Sequence, residues 1–227
     1  YTYVPHVQED LKLDFYTKLR EGALASTTQI TPFQFEEVFR KHLESGEDIL
    51  YLAFSKKLSS TYESSLMAKK VLEEEFPERK IVCLDSICCS GGLGQIVKDM
   101  EENRLAGMSL DDNVSYHEEN WDSYAHYFMV SDLKYLARGG RISAVAGTLG
   151  TALKMKPLML MDHTGELKVF KKVRGFKAAV KGLIQVYEDF HRSLDGDLWI
   201  TYTGNREMAE EAKKMFQDGG VTGDIQL

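Results

Sequence analysis

Hydroxyl side chains follow a short apolar run in the first third of the chain. Ser55, Ser59, Ser60 and Thr61 come after the run ILYLAF at residues 49–54 and before a predicted helix. Ligands of parallel α/β sheets gather at the carboxyl ends of strands. A helix N-terminus there adds unpaired amide N–H groups that favour anions. The segment predicts a neutral pocket for a carboxylate or phosphate, although N-capping by Ser59 or Ser60 explains the same residues.

A second candidate loop, DSICCSGGLG at residues 85–94, follows the apolar run KIVCL. Its glycines permit close approach of the backbone to a ligand. We take Ser90 and Gly92 as candidate ligand-binding residues, with a tight strand-to-helix turn as the alternative. The spacing is neither a Walker A loop nor a dinucleotide fingerprint, so it does not favour nucleotide binding. Cys88 and Cys89 are interpreted as small buried side chains, because no nearby residue supplies a base.

Three further clusters could contact an anion. Thr27 and Thr28 belong to a hydroxyl cluster at residues 26–29 that, taken alone, only leads into a helix. Two arginines flank a glycine pair at residues 138–141, and positive charge recurs at residues 171–174. An arginine fork suits a carboxylate or phosphate. The alternatives are a helix C-terminus closed by glycine and a solvated strand end.

The spacing of the other reactive side chains argues against independent catalysis. The GxSxG motif of serine hydrolases is absent, and the six histidines form no HxH or HExxH pattern. Three cysteines without CxxC spacing predict neither a zinc site nor a disulfide framework. We therefore expect no metal, no catalytic residue within this chain and a reducing, cytoplasmic location.

Strands and helices must alternate to position these loops. The apolar runs predict buried parallel strands at 49–54 and 80–84, with helices from Thr31-Pro32 to Gly46, at 60–76 and at 94–104. The apolar face of the first helix is predicted to hold Phe35, Val38, Phe39 and Leu43. This order predicts a parallel α/β layer fold for residues 1–125.

The second half predicts a smaller α+β domain over residues 126–227. We expect strands at 127–130, 156–161, 167–173 and 198–202, and helices at 144–154, 176–190 and 206–217. His163-Thr164-Gly165 is typical of a hairpin turn between two of these strands. No change of composition marks the boundary near Ala125.

The composition restricts the class of partner. The 227 residues are 43% hydrophobic and carry 28 basic against 35 acidic residues, a net charge of −7. No apolar run reaches the roughly 18 residues of a membrane span, and residues 1–10 do not resemble a signal peptide. We therefore expect neither nucleic-acid binding nor stable membrane insertion.

Six motifs together give a family resemblance. The chain resembles the DegV family of bacterial fatty-acid-binding proteins, which serve as the binding subunit of fatty acid kinase. The resemblance covers nearly the whole chain, and the run LARGGRIS and the serine loop are its specific parts. In order, the matching motifs are TTQITPFQF, FSKKLSSTYESS, DSICCSGGLG, DLKYLARGGRIS, LKMKPLM and KKVRGFKAAV.

The resemblance implies that a long-chain fatty acid lies in a tunnel between two α/β domains. It implies that Thr27, Thr28 and Ser59 hold the carboxylate, and Ser60, Ser90 and Gly92 are kept as further candidates. It also implies that Arg174 serves kinase docking or acyl-phosphate stabilisation. A separate kinase subunit would supply the ATP chemistry, and no cofactor besides the fatty acid is implied.

The sequence departs from the family pattern at several positions. Ser60 replaces a glycine, Thr28 a serine and Ile30 a proline, and Tyr202-Thr203-Gly204 stands where many members have His-Ala. The family's opening strand and its closing histidine- and glycine-rich segment are absent, so we expect the sequence to be incomplete at both ends. Two other functions stay open: a lipid sensor without a kinase, and an acyl or phosphate-ester hydrolase using Ser59 or Ser90.

Overall fold

The computed structural model describes residues 11–142, 155–191 and 194–227. These residues form two compact units, one from the described parts of residues 1–28 and 193–227 and the other from those of residues 29–192. The boundary predicted near Ala125 lies inside the second unit and stays a prediction about domain organisation. It separates two sheets of that unit, one parallel and one antiparallel.

The second unit begins with an alternating α/β segment. Helix α2 starts at Pro32 because Thr31 and Gln34 form a reciprocal capping box. Strands β1 and β2 pair in parallel, with Ile49 opposite Ile81 and Ala53 opposite Asp85. The predicted α/β class is therefore confirmed. The elements are α2 (Pro32–Glu44), β1 (Ile49–Ala53), α3 (Thr61–Glu75), β2 (Ile81–Asp85), α4 (Ser90–Leu105) and α5 (Leu110–Asn120).

A hydrophobic core joins α2 and α3 to this sheet. The Phe35 ring packs edge-on against Tyr51 at a centroid distance of 5.0 Å, and Leu72 of α3 is fully buried. Burial of each such side chain contributes about 1.5–3 kcal/mol. Val38 is 52% exposed, so its predicted place on the buried face of α2 is wrong. The core consists of Phe35, Phe39, Leu43, Ile49, Ala68, Leu72, Ile81 and Cys83.

An antiparallel sheet completes the second unit. Strands β4 and β5 form the predicted hairpin, and β3 pairs with β4 on its other side. The turn holds because Asp162 Oδ1 accepts hydrogen bonds from Thr164 and Glu166, and Gly165 takes a φ of +85°. The elements are a 3₁₀ turn (Trp121–Ser123), β3 (Tyr127–Met129), α6 (Lys134–Arg138), β4 (Met155–Met161), β5 (Leu167–Arg174) and α7 (Phe176–His191).

The first unit contains α1 and a short parallel strand pair with one helix. The strand predicted at 198–202 is only two residues long and pairs with β7, with Leu198 opposite Ile225. The helix predicted at 144–154 lies outside the described residues. The elements are α1 (Leu11–Arg20), β6 (Leu198–Trp199), α8 (Arg206–Asp218) and β7 (Ile225–Gln226).

Candidate functional site

The loop after β1 is tied to the β4–β5 hairpin by a buried serine. Ser55 is 0% exposed, and its Oγ donates to the Gly165 carbonyl at 2.9 Å. The same oxygen accepts from the Lys57 amide at 3.3 Å. A β-carbon at position 165 would collide with Ser55 Oγ. Glycine at this position therefore lets the hairpin approach the loop.

The lysines of this loop already have carboxylate neighbours. Lys56 Nζ lies 3.6 Å from Asp85 Oδ2, and Lys57 Nζ lies 3.7 Å from Glu166 Oε1. Asp85 also accepts from the Ile87 amide at 3.0 Å. The positive charge next to the hydroxyls is thus balanced within the protein, and the loop presents mainly neutral hydrogen-bonding groups.

Ser59 precedes the N-cap residue of α3 and bonds the first amide of the helix, so the predicted N-capping by Ser59 or Ser60 is met only in part. Its Oγ accepts from the Thr61 amide at 3.3 Å and lies 2.8 Å from Thr61 Oγ1. Ser60 is exposed and occupies the N-cap position, where its own side chain makes no capping hydrogen bond. The paired hydroxyls of Ser59 and Thr61 are thereby fixed at the start of a 15-residue helix.

The loop after β2 is held close to the loop after β1. The Ser55 amide donates to the Cys88 carbonyl at 2.9 Å, and the Ser86 amide donates to Ala53 at 3.1 Å. Ile87 has a φ of +54° and Ser90 one of +48°. Such values are unfavourable for a β-branched residue and are common at functional sites. The backbone of this loop is therefore strained but well anchored.

A thiol and an imidazole meet at this strained loop. Cys88 Sγ lies 3.1 Å from Nδ1 of His126, the residue that precedes β3. A β-carbon at position 92 would collide with Cys88 Sγ and lie 2.9 Å from His126 Nδ1, so glycine there leaves room for the pair. Burial raises the pKa of Cys88 to about 11 and lowers that of His126. Both groups are consequently neutral at pH 7.

His126 was missed by sequence reasoning, and its presence corrects the inference that Cys88 has no base nearby. The two residues are 38 positions apart in sequence. A histidine directly before a predicted strand was a possible signal, but only the packing of β3 beside the loop after β2 brings it to the thiol.

Cys88 and His126 line a cavity of about 160 Å³ within the second unit. Its volume is close to that of an engineered cavity that binds benzene. Its mouth is partly open, and Ser86 and Asp162 also lie on its wall. The cavity can therefore hold an apolar group next to polar loops. Its apolar wall includes Ile87, Ile96, Trp121, Tyr127, Met161 and Phe190.

Arg141 links the glycine-pair turn to the hydroxyl loop. Its Nε donates to the Leu58 carbonyl at 3.1 Å, and its Nη1 donates to the Gly139 carbonyl. Helix α6 ends as predicted at Arg138, whose guanidinium lies 5.9 Å from the Tyr135 ring centre. One arginine of this motif therefore supports the loop, and the other lies against its own helix.

The family follows from a comparison with known proteins. Residues 2–227 match the sequence pattern described as "Uncharacterised protein, DegV family". The chain belongs to the DegV family. It is 40% identical over 225 residues to the DegV domain-containing protein CPE0026 of Clostridium perfringens, covering 98% of this chain and 77% of that protein. The predicted family is confirmed.

Solved DegV structures share this fold. The DegV family protein of Thermus thermophilus, described by its fatty acid binding, is 27% identical with a TM-score of 0.79; the match covers 94% of this chain and 75% of that one. The fatty acid kinase (Fak) B3 protein of Streptococcus pneumoniae, solved with linoleic acid, is 18% identical with a TM-score of 0.83, covering 96% and 76%. The second similarity concerns the fold alone.

The structure of this DegV protein gathers some predicted site residues and not others. Ser59 and Ser60 lie on the loop after β1, and Ser90 and Gly92 follow directly on the loop after β2. Ser90 and Gly92 belong to the first turn of α4, which begins four residues earlier than predicted. The glycines that suggested a loop instead let the helix start beside the Cys88–His126 pair. The ligand contacts of these residues stay predictions.

Thr27, Thr28 and Arg174 belong to other segments of the chain. Both threonines are exposed and belong to the first unit. Arg174 is exposed at the end of β5 away from the hairpin turn. At about 3.3 Å per residue, it lies roughly 20 Å along the strand from Leu167. Arg174 therefore lies at the opposite end of β5 from the hairpin turn that contacts Ser55.

The described ranges of this DegV protein hold neither a candidate metal cluster nor a membrane-spanning helix. Within those ranges, His, Cys, Asp and Glu side chains form no group of three that could hold a metal ion. None of the helices found there combines the length and hydrophobicity needed to cross a membrane.

Proposed function

We propose that this protein binds a long-chain fatty acid and presents its carboxylate to a separate kinase subunit, which forms the acyl phosphate. The observation that carries the proposal is the cavity, lined by both apolar and polar side chains, beside two joined, hydroxyl-bearing loops at the carboxyl ends of β1 and β2. The fatty acid binding described for the Thermus relative supports it. The tunnel between domains and the cytoplasmic location are parts of the same proposal.

The energetics suit an apolar tail and a neutral head-group site. Burial of an acyl chain contributes about 0.8 kcal/mol per methylene, or on the order of 10 kcal/mol for a long chain. The head group then needs only orientation. Hydroxyls at Ser59 and Thr61 would leave the carboxylate more nucleophilic toward ATP than a tight lysine salt bridge, and Lys56 and Lys57 have carboxylate neighbours.

Purification tests the lipid. We expect mass spectrometry of the denatured protein to release a fatty acid, and the delipidated protein to take one up again. Ala125→Phe, which places a ring on the cavity wall, should weaken uptake at least tenfold. Ala106→Phe at the exposed end of α4 is the matched control and should not. The absence of both a released acyl species and uptake of added fatty acid would contradict the proposal.

The kinase partnership is proposed from the motif resemblance and the charge near Arg174. Lys171, Lys172, Arg174 and Lys177 are exposed on a chain of net charge −7. Such a patch attracts a partner carrying ATP or an acyl phosphate product. A separate kinase would then supply the ATP chemistry, and this chain would act as the lipid-binding subunit.

Arg174→Ala should leave fatty-acid binding unchanged and lower acyl-phosphate formation by the kinase pair about tenfold or more. Lys214→Ala, an exposed lysine of α8, controls for the loss of one positive charge. If acyl-phosphate formation is unchanged in Arg174→Ala, Arg174 has no role in docking the kinase. Loss of fatty-acid binding instead would place Arg174 at the carboxylate. No turnover of the native protein with any kinase subunit would favour the lipid sensor.

A further inference from the structure

The Cys88–His126 pair combines a thiol nucleophile with an adjacent imidazole base. Covalent catalysis by a thiol needs a base within hydrogen-bond reach, about 2.6–3.2 Å in structures of such sites. The 3.1 Å separation of Cys88 Sγ and His126 Nδ1 meets this requirement. Both side chains also line the apolar cavity, so an acyl group held there has access to the sulfur.

The surrounding backbone supports the same chemistry. Helix α4 starts at Ser90, two residues after Cys88, and the Cys89 side chain makes no capping hydrogen bond to it. Amide N–H groups at a helix N-terminus can stabilise a developing oxyanion. The positive φ angles of Ile87 and Ser90 fix the peptide on either side of the thiol. Gly92 keeps the space that the sulfur and the imidazole occupy.

We propose that Cys88 accepts an acyl group from an activated carboxyl compound, with His126 as the general base. The thiol sulfur forms a bond to the carbonyl carbon, and the bond from that carbon to the leaving oxygen breaks. The thiol proton passes to His126 and then to the departing phosphate or alcohol. The products are a Cys88 thioester and the released phosphate or alcohol, so atoms and electrons balance without an oxidant or reductant.

The protonation state of Cys88 and His126 restricts the acyl donors that can react with the thiol. Burial holds the Cys88 thiol protonated, with its pKa raised to about 11, and keeps the imidazole neutral. A protonated thiol reacts slowly with free fatty acids or amides. It needs a good leaving group, as in an acyl phosphate or an aryl ester. The identity of the natural donor as an acyl phosphate rests on the proposed function, whereas the reactivity of the pair does not.

Acyl transfer to Cys88 is measured directly by intact-protein mass spectrometry. The full chain is incubated with butyryl phosphate or with p-nitrophenyl butyrate, whose short chains suit the cavity. We expect one butyryl adduct that peptide mapping places on Cys88 and that neutral hydroxylamine removes. His126→Asn should slow its formation roughly 100-fold, the usual contribution of a general base.

Variants of Cys83 and Cys88 show whether the adduct forms specifically on the thiol next to His126. Cys83 is buried like Cys88 but its Sγ lies near the Ser65 carbonyl and not near an imidazole, so Cys83→Ala should retain the adduct. Cys88→Ala should abolish it, and Cys88→Ser, closer in shape, covers the case in which alanine impairs folding. An adduct absent from the native protein, or one located equally on the three cysteines, overturns the proposal. Fatty-acid uptake measured on the same sample reports separately on the proposed function.

Discussion

The loops after β1 and β2 leave the same edge of the parallel sheet, but different forces hold them. The first is fixed by polar contacts: Ser55 bonds the Gly165 carbonyl, and Arg141 bonds the Leu58 carbonyl. The second carries two positive φ angles and places a neutral Cys88–His126 pair against an apolar cavity. The first loop is therefore held by polar contacts, whereas the second brings a thiol and an imidazole to the wall of the cavity.

Each loop also depends on one glycine, for a different reason. Gly165 combines a left-handed φ with contact to Ser55, whereas Gly92 lies in a helix and only provides space. Substitutions at these two positions therefore test the two sides of the site separately.

The largest effect is expected for Gly165→Ala. An L-residue in this conformation costs about 1–2 kcal/mol, and the collision with Ser55 Oγ adds about 1–3 kcal/mol. We expect the free energy of unfolding to fall by roughly 2–5 kcal/mol in chemical denaturation. Gly175 has the same φ of +85° with nothing within 4 Å of its added β-carbon, so Gly175→Ala should cost only the conformational part. Equal losses at both positions would mean that the hairpin contact contributes nothing.

A smaller loss is expected for Gly92→Ala. Its β-carbon would displace Cys88 or His126, an overpacking cost of about 1–3 kcal/mol. Gly94 lies in the same helix with open space around it, so Gly94→Ala should stabilise the protein by up to about 1 kcal/mol. Thermal unfolding of the two variants gives the comparison. Opposite signs are expected, and a shared sign would contradict the role assigned to Gly92.

The sequence predicted the first loop better than the second because the elements around the first follow simple patterns. Continuous apolar runs indicated β1 and β2, and Thr31-Pro32 indicated the start of α2. Helix α5 was missed because its buried residues are Asn113 and His117, which give no apolar stripe. The start of α4 was misplaced because serine and glycine are also turn residues.

The tertiary contacts of the site could not be predicted in this way. Ser55 meets Gly165 across 110 residues, and Cys88 meets His126 across 38. Neither pair has a local spacing pattern, since each depends on the antiparallel sheet packing beside the parallel one. The family resemblance named Ser59 but could not separate its capping contact from a ligand contact.

The Cys88–His126 pair and the β4–β5 hairpin should also differ in acid sensitivity. Burial lowers the pKa of His126 below the usual value of about 6.5, so the unfolded state binds the proton more readily. Stability is then lost as the pH falls below about 6.5, by at most about 1.4 kcal/mol per pH unit for one imidazole. At the hairpin, hydrogen bonds outweigh burial and lower the pKa of Asp162 to about 2. The ionised Asp162 carboxylate therefore contributes to the free energy of unfolding above about pH 4, and this contribution is lost at lower pH.

Denaturation curves between pH 7 and pH 5 separate these contributions. The His126→Asn variant should show a flatter dependence than the native protein, and Asp162→Asn should show an unchanged slope in this range. Because His117 is also buried with a lowered pKa, His117→Asn measures the remaining histidine contribution. A native protein whose stability does not change in this range would contradict the buried neutral state of both imidazoles.

The smallest effect on stability, and the most informative for the head group, is expected for Ser59→Ala. The variant removes the bond from the Thr61 amide and should cost about 1 kcal/mol in the free energy of unfolding. If Ser59 also contacts the carboxylate, affinity for a fatty acid falls while affinity for the matching fatty alcohol does not. A pure cap instead lowers stability and leaves both affinities unchanged. Ser109→Ala at the N-cap of α5 removes the hydrogen bond from the Asp112 amide at another helix start and controls for the loss of stability alone. Paired melting and binding measurements on the two serine variants therefore show whether the first loop is only the start of a helix or also the polar end of the site.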